Sequence, residues 1–193
     1  MKIVSHALLA LALVTPAVSQ AAIIQFDLIG TAGAGLLPGN EPGAITGGTG
    51  GEIGAGIFYD NVSNLLTLNV GWGSSQGFVD LSSAANNSHL HGPTASVNGN
   101  GFTEVAGAPF TLTRSSNLVT GGTITSGPLT LSEPQELALL DGKFYINIHT
   151  VNNGGGELRG FLVPAAIPEP SSFAALAGFA GLGLAALRRR QRA

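Results

Sequence analysis

Cysteine is absent from all 193 residues of the chain, so no disulfide staples the fold and no thiolate can act as a nucleophile. Basic side chains are nearly as scarce. Between Ala22 and Val163 only Arg114, Lys143 and Arg159 stand against ten carboxylates, a formal charge of −7 that the C-terminal arginines dilute to −3 over the whole chain. So acidic a domain, with no basic patch, cannot release counterions from a phosphate backbone, which excludes DNA and RNA as partners. Phosphate-loop and dinucleotide-binding spacings are missing in spite of 29 glycines. The single tryptophan, Trp72, is expected in the core, with an exposed sugar-stacking role as the alternative.

The two ends carry instructions for export. Lys2 is followed by an apolar run from Ala7 to Val18 and then by Ser19-Gln20-Ala21-Ala22, with small residues placed for cleavage after Ala21. This is the pattern of a secretory signal peptide over residues 1–21. At the other end Pro168-Glu169-Pro170 precedes an uncharged apolar segment, Ser171 to Leu187, which ends in Arg188-Arg189-Arg190-Gln191-Arg192. As a helix that segment reaches roughly 25 Å, enough to span a bilayer with some thinning, and the arginines would hold the extreme C-terminus in the cytoplasm. A permanent single-span anchor would show the same hydropathy.

The order Pro-Glu-Pro, apolar helix, basic end resembles the PEP-CTERM sorting signal of Gram-negative bacteria that make exopolysaccharide. The resemblance covers only the tail, residues 164–193, and concerns destination. It implies an exosortase-type membrane protease as partner, transient anchoring in the inner membrane, and delivery to the outer surface or extracellular matrix.

Between the ends lies one domain, residues 22–163, long enough for its own core. Its apolar residues alternate, or cluster in short runs between Gly, Asn and Ser, which is the pattern of strands and turns. Strands are predicted at Ala22 to Ile29, Gly51 to Tyr59, Leu65 to Trp72, Gly77 to Leu81, Ser88 to His91, Pro109 to Thr113, Lys143 to Thr150 and Glu157 to Val163. Eight short strands in such a length predict an all-β, Greek-key-like antiparallel β-sandwich. A short helix is expected after Ser132, with Gln135 completing the cap, Leu137, Leu139 and Leu140 on its apolar side and Gly142 ending it. The Gly-rich stretch 30–51 has no periodicity and is expected to be a long mobile loop. Asp27, Asp60 and Asp80 are placed at strand ends or turns, where acidic residues commonly serve as turn formers.

Three histidines remain once the signal peptide is set aside: His89, His91 and His149. On a strand His89 and His91 project from one face roughly 7 Å apart, a spacing at which two imidazoles can share a metal ion. Alternation in Lys143 to Thr150 places Tyr145, Asn147 and His149 on one face and Phe144, Ile146 and Ile148 on the other, so His149 can meet the pair. The plainer reading is that these are surface histidines that hydrogen-bond. Arg159 and Glu157 have plain uses as well, as a cross-strand ion pair or as partners of the turn Asn152 to Gly156.

His89-Leu90-His91-Gly92-Pro93, then Leu140-Asp141-Gly142-Lys143-Phe144-Tyr145-Ile146-Asn147-Ile148-His149-Thr150, then Gly156-Glu157-Leu158-Arg159-Gly160 resemble the CHRD domain. That resemblance implies an all-β domain and supplies no catalytic mechanism. A more distant likeness is to copper/zinc superoxide dismutase, in which a His-x-His strand and a later histidine bind copper and an arginine guides the anion. Through it His89, His91 and His149 are the implied metal ligands, for copper or zinc, and Arg159 the implied residue that stands behind the ligands or guides the anion. The bridging histidine, the zinc cluster and the disulfide of that family have no counterpart here.

The expected role is structural or binding rather than catalytic, at the cell surface or in the matrix, with exopolysaccharide or matrix proteins as partners. The competing expectation is a copper- or zinc-binding protein with a dismutase-like site.

Overall fold

The computed structural model describes residues 22–43, 45–115 and 119–165. The expected signal peptide, Pro-Glu-Pro motif, transmembrane helix and basic end lie outside these residues. Among the described residues no helix is long and apolar enough to cross a membrane.

Among the described residues ten strands follow one another: β1 (Ile23–Gly30), β2 (Gly33–Ala34), β3 (Gly50–Asp60), β4 (Leu65–Trp72), β5 (Ala85–His91), β6 (Phe110–Thr111), β7 (Gly122–Thr123), β8 (Leu129–Thr130), β9 (Tyr145–Thr150) and β10 (Leu158–Pro164). Two short 3-10 turns, Pro38–Asn40 and Ser74–Gln76, and two longer elements, α1 (Asn98–Phe102) before β6 and α2 (Glu133–Leu140) before β9, interrupt them. All ten strands belong to one antiparallel sheet in the order β6-β5-β9-β10-β1-β3-β4-β7, with β2 on β1 and β8 on β4. The sheet curls until its two ends meet, where Arg114 bridges Ile124, Ser115 N–H donates to Thr123 and Thr125 N–H to Thr113. Curling in this way pairs edges that would otherwise offer open backbone groups. The expected eight-strand sandwich is therefore a single curled sheet of ten strands. The additional strands, β2, β7 and β8, are two residues each, too short to show alternation.

Apolar side chains from the long strands fill the inside of the curl, including Leu28, Ile57, Leu66, Val70, Trp72, Leu90, Ile146, Ile148 and Leu162, all essentially buried. Each such Leu or Ile contributes about 1.5–3 kcal/mol by leaving water. Trp72 is fully buried, which settles its role as core.

Five local expectations change. Gly77 to Leu81 is not a strand: a 3-10 turn at Ser74–Gln76 precedes it, and the Asp80 carboxylate accepts bonds from Ser74 N–H and Oγ–H, folding the segment onto itself. Of Pro109 to Thr113 only Phe110 and Thr111 pair as a strand. The stretch 30–51 is packed rather than mobile, because Leu36 is fully buried, Leu36 pairs with Gly50, Leu37 pairs with Arg159, and buried Asn40 donates to the Arg159 carbonyl. Helix α2 begins as expected, with Gln135 Oε1 accepting from Ser132 N–H, but its buried residues are Ala138 and Leu139 whereas Leu137 points to solvent. Asp60 forms a turn, accepting from Val62 and Ser63 N–H. Asp27 instead lies within β1, paired with Val163.

Element α1 is a left-handed turn in which Asn98, Gly99, Asn100, Gly101 and Phe102 all have φ between 49° and 75°. For residues with a Cβ this costs about 1–2 kcal/mol each. Tertiary contacts hold it: Asn98 N–H donates to the Asp141 carbonyl, Phe102 packs on Phe161, and a Cβ at Gly99 would meet the Phe161 ring at 2.5 Å. The turn delivers residues 104–106 onto the outer face of the sheet beside β5 and β10.

Candidate metal centre

Strand β9 is buried on both faces. Ile146 and Ile148 face the core, whereas Tyr145, Asn147 and His149 alternate onto the outer face, as their spacing predicts. Register sets His91 opposite Tyr145, His89 opposite Asn147 and His149 opposite Asn87. This brings the three imidazoles together: one nitrogen from each of His89, His91 and His149 lies within 4.8 Å of the others. Among the described residues it is the one group of three or more such side chains that converges.

Two backbone carbonyls fix the tautomers. His149 Nδ1–H donates to Gly154 O at 3.0 Å and His91 Nδ1–H to Ala106 O at 2.9 Å, since a carbonyl can only accept. The Nε2 lone pairs of both rings are thereby left for other use. His149 Nε2 takes a hydrogen bond from His89 Nδ1 at 2.9 Å, and His91 Nε2 has no partner. Burial lowers the pKa of all three, against the pull of the Ala106 and Gly154 carbonyls on His91 and His149, and nearby positive charge adds to it: His91 and Arg114 at His89, the other two histidines and Arg114 at His149, and Arg159 at His91. The rings are therefore neutral near pH 7, the form in which imidazole binds a metal. A ligating histidine typically donates its other N–H to a carbonyl or carboxylate, which is the arrangement of His91 and His149.

The supports of these carbonyls are themselves anchored. Gly154 belongs to a turn tied down by Glu157, whose fully buried carboxylate accepts from Gly48 N–H, Ser82 N–H, Ser82 Oγ–H, Thr150 Oγ–H and Asn153 Nδ2–H. Burial alone would raise its pKa, but the donors outweigh burial and hold it below the usual range. Of the two uses expected of Glu157, the structure shows the turn. Ala106 is held by Tyr145, whose hydroxyl accepts from Ala106 N–H at 3.1 Å.

Tyr145 also joins His91 to Arg159. The His91 ring stacks on it at 4.8 Å and 8°, and the Arg159 guanidinium lies 3.9 Å from its centroid, reaching it from the strand on the other side. Arg159 is 1% exposed, packs over Phe161 as well and donates to the Glu104 carbonyl. It lies behind the tyrosine, away from direct contact with the histidine rings.

Two cavities flank the triad. One, of about 350 Å³, opens on His89, His149, Asn86, Asn87 and Gly154. The other, of about 320 Å³, borders His91, Tyr145, Asn147, Arg159 and Glu41. Sequence reasoning missed Glu41, Ala106 and Gly154; the last two act through backbone carbonyls, which residue identity does not reveal. It also passed over Gly73-Ser74-Ser75-Gln76-Gly77, which has the spacing of a nucleophile elbow. Ser75 lies on the 3-10 turn after β4 rather than on a strand-to-helix turn, so the context that motif requires is missing.

No curated protein and no solved structure matches the chain. The model of the CHRD domain matches residues 34–162, a span that contains all three histidines, both carbonyls that orient them and the Glu157 knot. With well over half of its length matched, the chain belongs to the CHRD domain family.

Proposed function

We propose that this chain is an exported CHRD-domain protein that binds one transition-metal ion, copper or zinc, through His89, His91 and His149. The observation that carries the reading is the convergence of the three imidazoles with tautomers fixed by Gly154 and Ala106. Three neutral nitrogen donors suit either metal. When bound, the ion would supply a Lewis-acidic or, for copper, a redox centre. The chain's own contribution is to hold the rings neutral, oriented and half-buried. The role is binding, at the cell surface or in the matrix, with matrix protein or exopolysaccharide as partner. A dismutase-like activity is the second reading, supported by the cavity that reaches His89 and His149 from outside.

Elemental analysis tests the site. The full chain, produced in a periplasm supplied with copper and zinc, should carry about one ion, lost when all three histidines are changed to alanine. Metal-free protein in both cases overturns the reading. The export reading, carried by the signal peptide and the Pro168-Glu169-Pro170 tail, predicts a mature mass lacking residues 1–21 and the segment 171–193. A mature mass that retains 171–193 favours a permanent anchor instead.

A further inference from the structure

The cavity beside His91 has a polar floor whose needs the protein does not meet. Four buried side-chain atoms without a hydrogen-bond partner belong to residues lining this cavity: Glu41 Oε1, His91 Nε2, Asn147 Oδ1 and Arg159 Nε. Glu41, Asn147 and Arg159 are each more than nine-tenths buried. Such groups are rare in native proteins, and a cluster of them calls for an occupant.

The geometry limits what that occupant is. Asn147 Nδ2–H donates to Gly155 O, so the atom left over is the acceptor Oδ1. Glu41 Oε1 and Asn147 Oδ1 lie 2.3 and 2.4 Å from the point where a Cβ on Gly156 would stand, hence at most 4.7 Å from each other. One nitrogen can bond both at normal distances. Glycine at 156 leaves open a cradle that any side chain there would fill. On the other side Arg159 offers a donor and a buried positive charge. The rim is apolar, with Pro42, Ile45 and Val105.

A lone cation in this cavity would face the guanidinium. A lone anion would leave Asn147 Oδ1 without a donor and would face Glu41. A molecule bearing both charges answers Glu41, Asn147 and Arg159, and leaves His91 Nε2 to the metal centre. At about 30 Å³ per water-sized group, the volume holds roughly ten of them. We infer that the cavity binds a free α-amino acid with an apolar side chain, its ammonium between Glu41 and Asn147, its carboxylate toward Arg159, and its side chain against Ile45 and Val105. This site shares only a wall, His91, with the metal centre and needs no metal.

Calorimetric titration of the full chain at pH 8, where Glu41 is ionised, tests it, with L-leucine, N-acetyl-L-leucine, L-leucinamide and glucose as probes. Leucine should bind saturably, and the two blocked forms, each missing one charge, at least about tenfold more weakly. Glu41→Gln should weaken leucine by a similar factor. Val105→Arg, at a position 70% exposed on the rim, should do so too without changing the melting temperature or the metal content. No binding of leucine, equal binding of its N-acetyl form, or binding of glucose instead would each overturn the inference. Because Val105→Arg leaves the histidines untouched, failure here and failure of the metal reading are separate results.

Discussion

His89 Nδ1 and His149 Nε2 stand 2.9 Å apart, joined by a hydrogen bond whose proton belongs to His89. His149 cannot supply that proton, because its own is committed to the Gly154 carbonyl. The bond therefore occupies one edge of the place where a shared metal ion would stand. For both nitrogens to ligate, His89 must move its proton to its other nitrogen, which costs no net charge.

Metal uptake should accordingly depend on each ring. Loss of one of three direct ligands should lower affinity by more than the roughly 10–100-fold typical of losing an outer partner. Changing any one of His89, His91 or His149 to alanine should show this in competition with a chromogenic chelator. Protons compete for the same lone pairs, and burial lowers the pKa of all three rings. The ion should therefore be retained at pH 6.5 and released on further acidification. Release already complete at pH 6.5 would contradict neutral rings.

The histidine face was legible in the sequence because side chains alternate with period two along β5 and β9, and that rule depends on nothing distant. Long strands were legible for the same reason. What covers the face was not legible. Glu41 reaches it from a Gly-rich segment with no periodicity, and Ala106 is delivered by the left-handed turn Asn98–Phe102, which is held by contacts with Phe161 and Asp141. Two-residue strands such as Gly122–Thr123 exist because β4 is already in place to receive them.

Glu157 makes a direct prediction about acid stability. Its folded-state pKa lies below the ordinary value of 4.5, so the folded form binds the proton less readily than the unfolded chain. Its contribution is fully present above pH 4.5 and is lost as pH falls through the folded pKa. Hydrogen bonds to a charged acceptor are worth about 1.5–3 kcal/mol. Glu157→Gln should destabilise the chain by roughly 3 kcal/mol in urea titrations at pH 7, with a smaller difference from the parent at pH 3. The turn that orients His149 should loosen with it, lowering metal affinity.

Gly156 should tolerate no side chain. Its φ is +133°, and a Cβ would stand within 2.5 Å of Glu41 Oε1 and of both Asn147 amide atoms. The backbone cost and the overlap add, so Gly156→Ala should lose about 2 kcal/mol or more. Gly154, which meets nothing within 4 Å, is the control, and alanine there should change the melting temperature much less.

Glu41 acts on stability in the opposite sense to Glu157. Burial pushes its pKa from 4.5 to about 7, against the pull of Arg159. Between those values the folded chain holds a proton that the unfolded chain has released, so stability falls as pH rises from about 4.5 and levels off above 7. A shift of that size corresponds to roughly 3 kcal/mol at 1.36 kcal/mol per unit. Glutamine cannot ionise and keeps the shape, so Glu41→Gln should lie within about 1 kcal/mol of the parent at pH 5 and exceed it by up to about 3 kcal/mol at pH 8. Because every other titrating group is common to both proteins, the difference between their urea-derived stabilities across pH isolates this carboxyl. Parallel curves from pH 5 to 8 would mean that Glu41 ionises freely, and with it that the cavity floor is open to water.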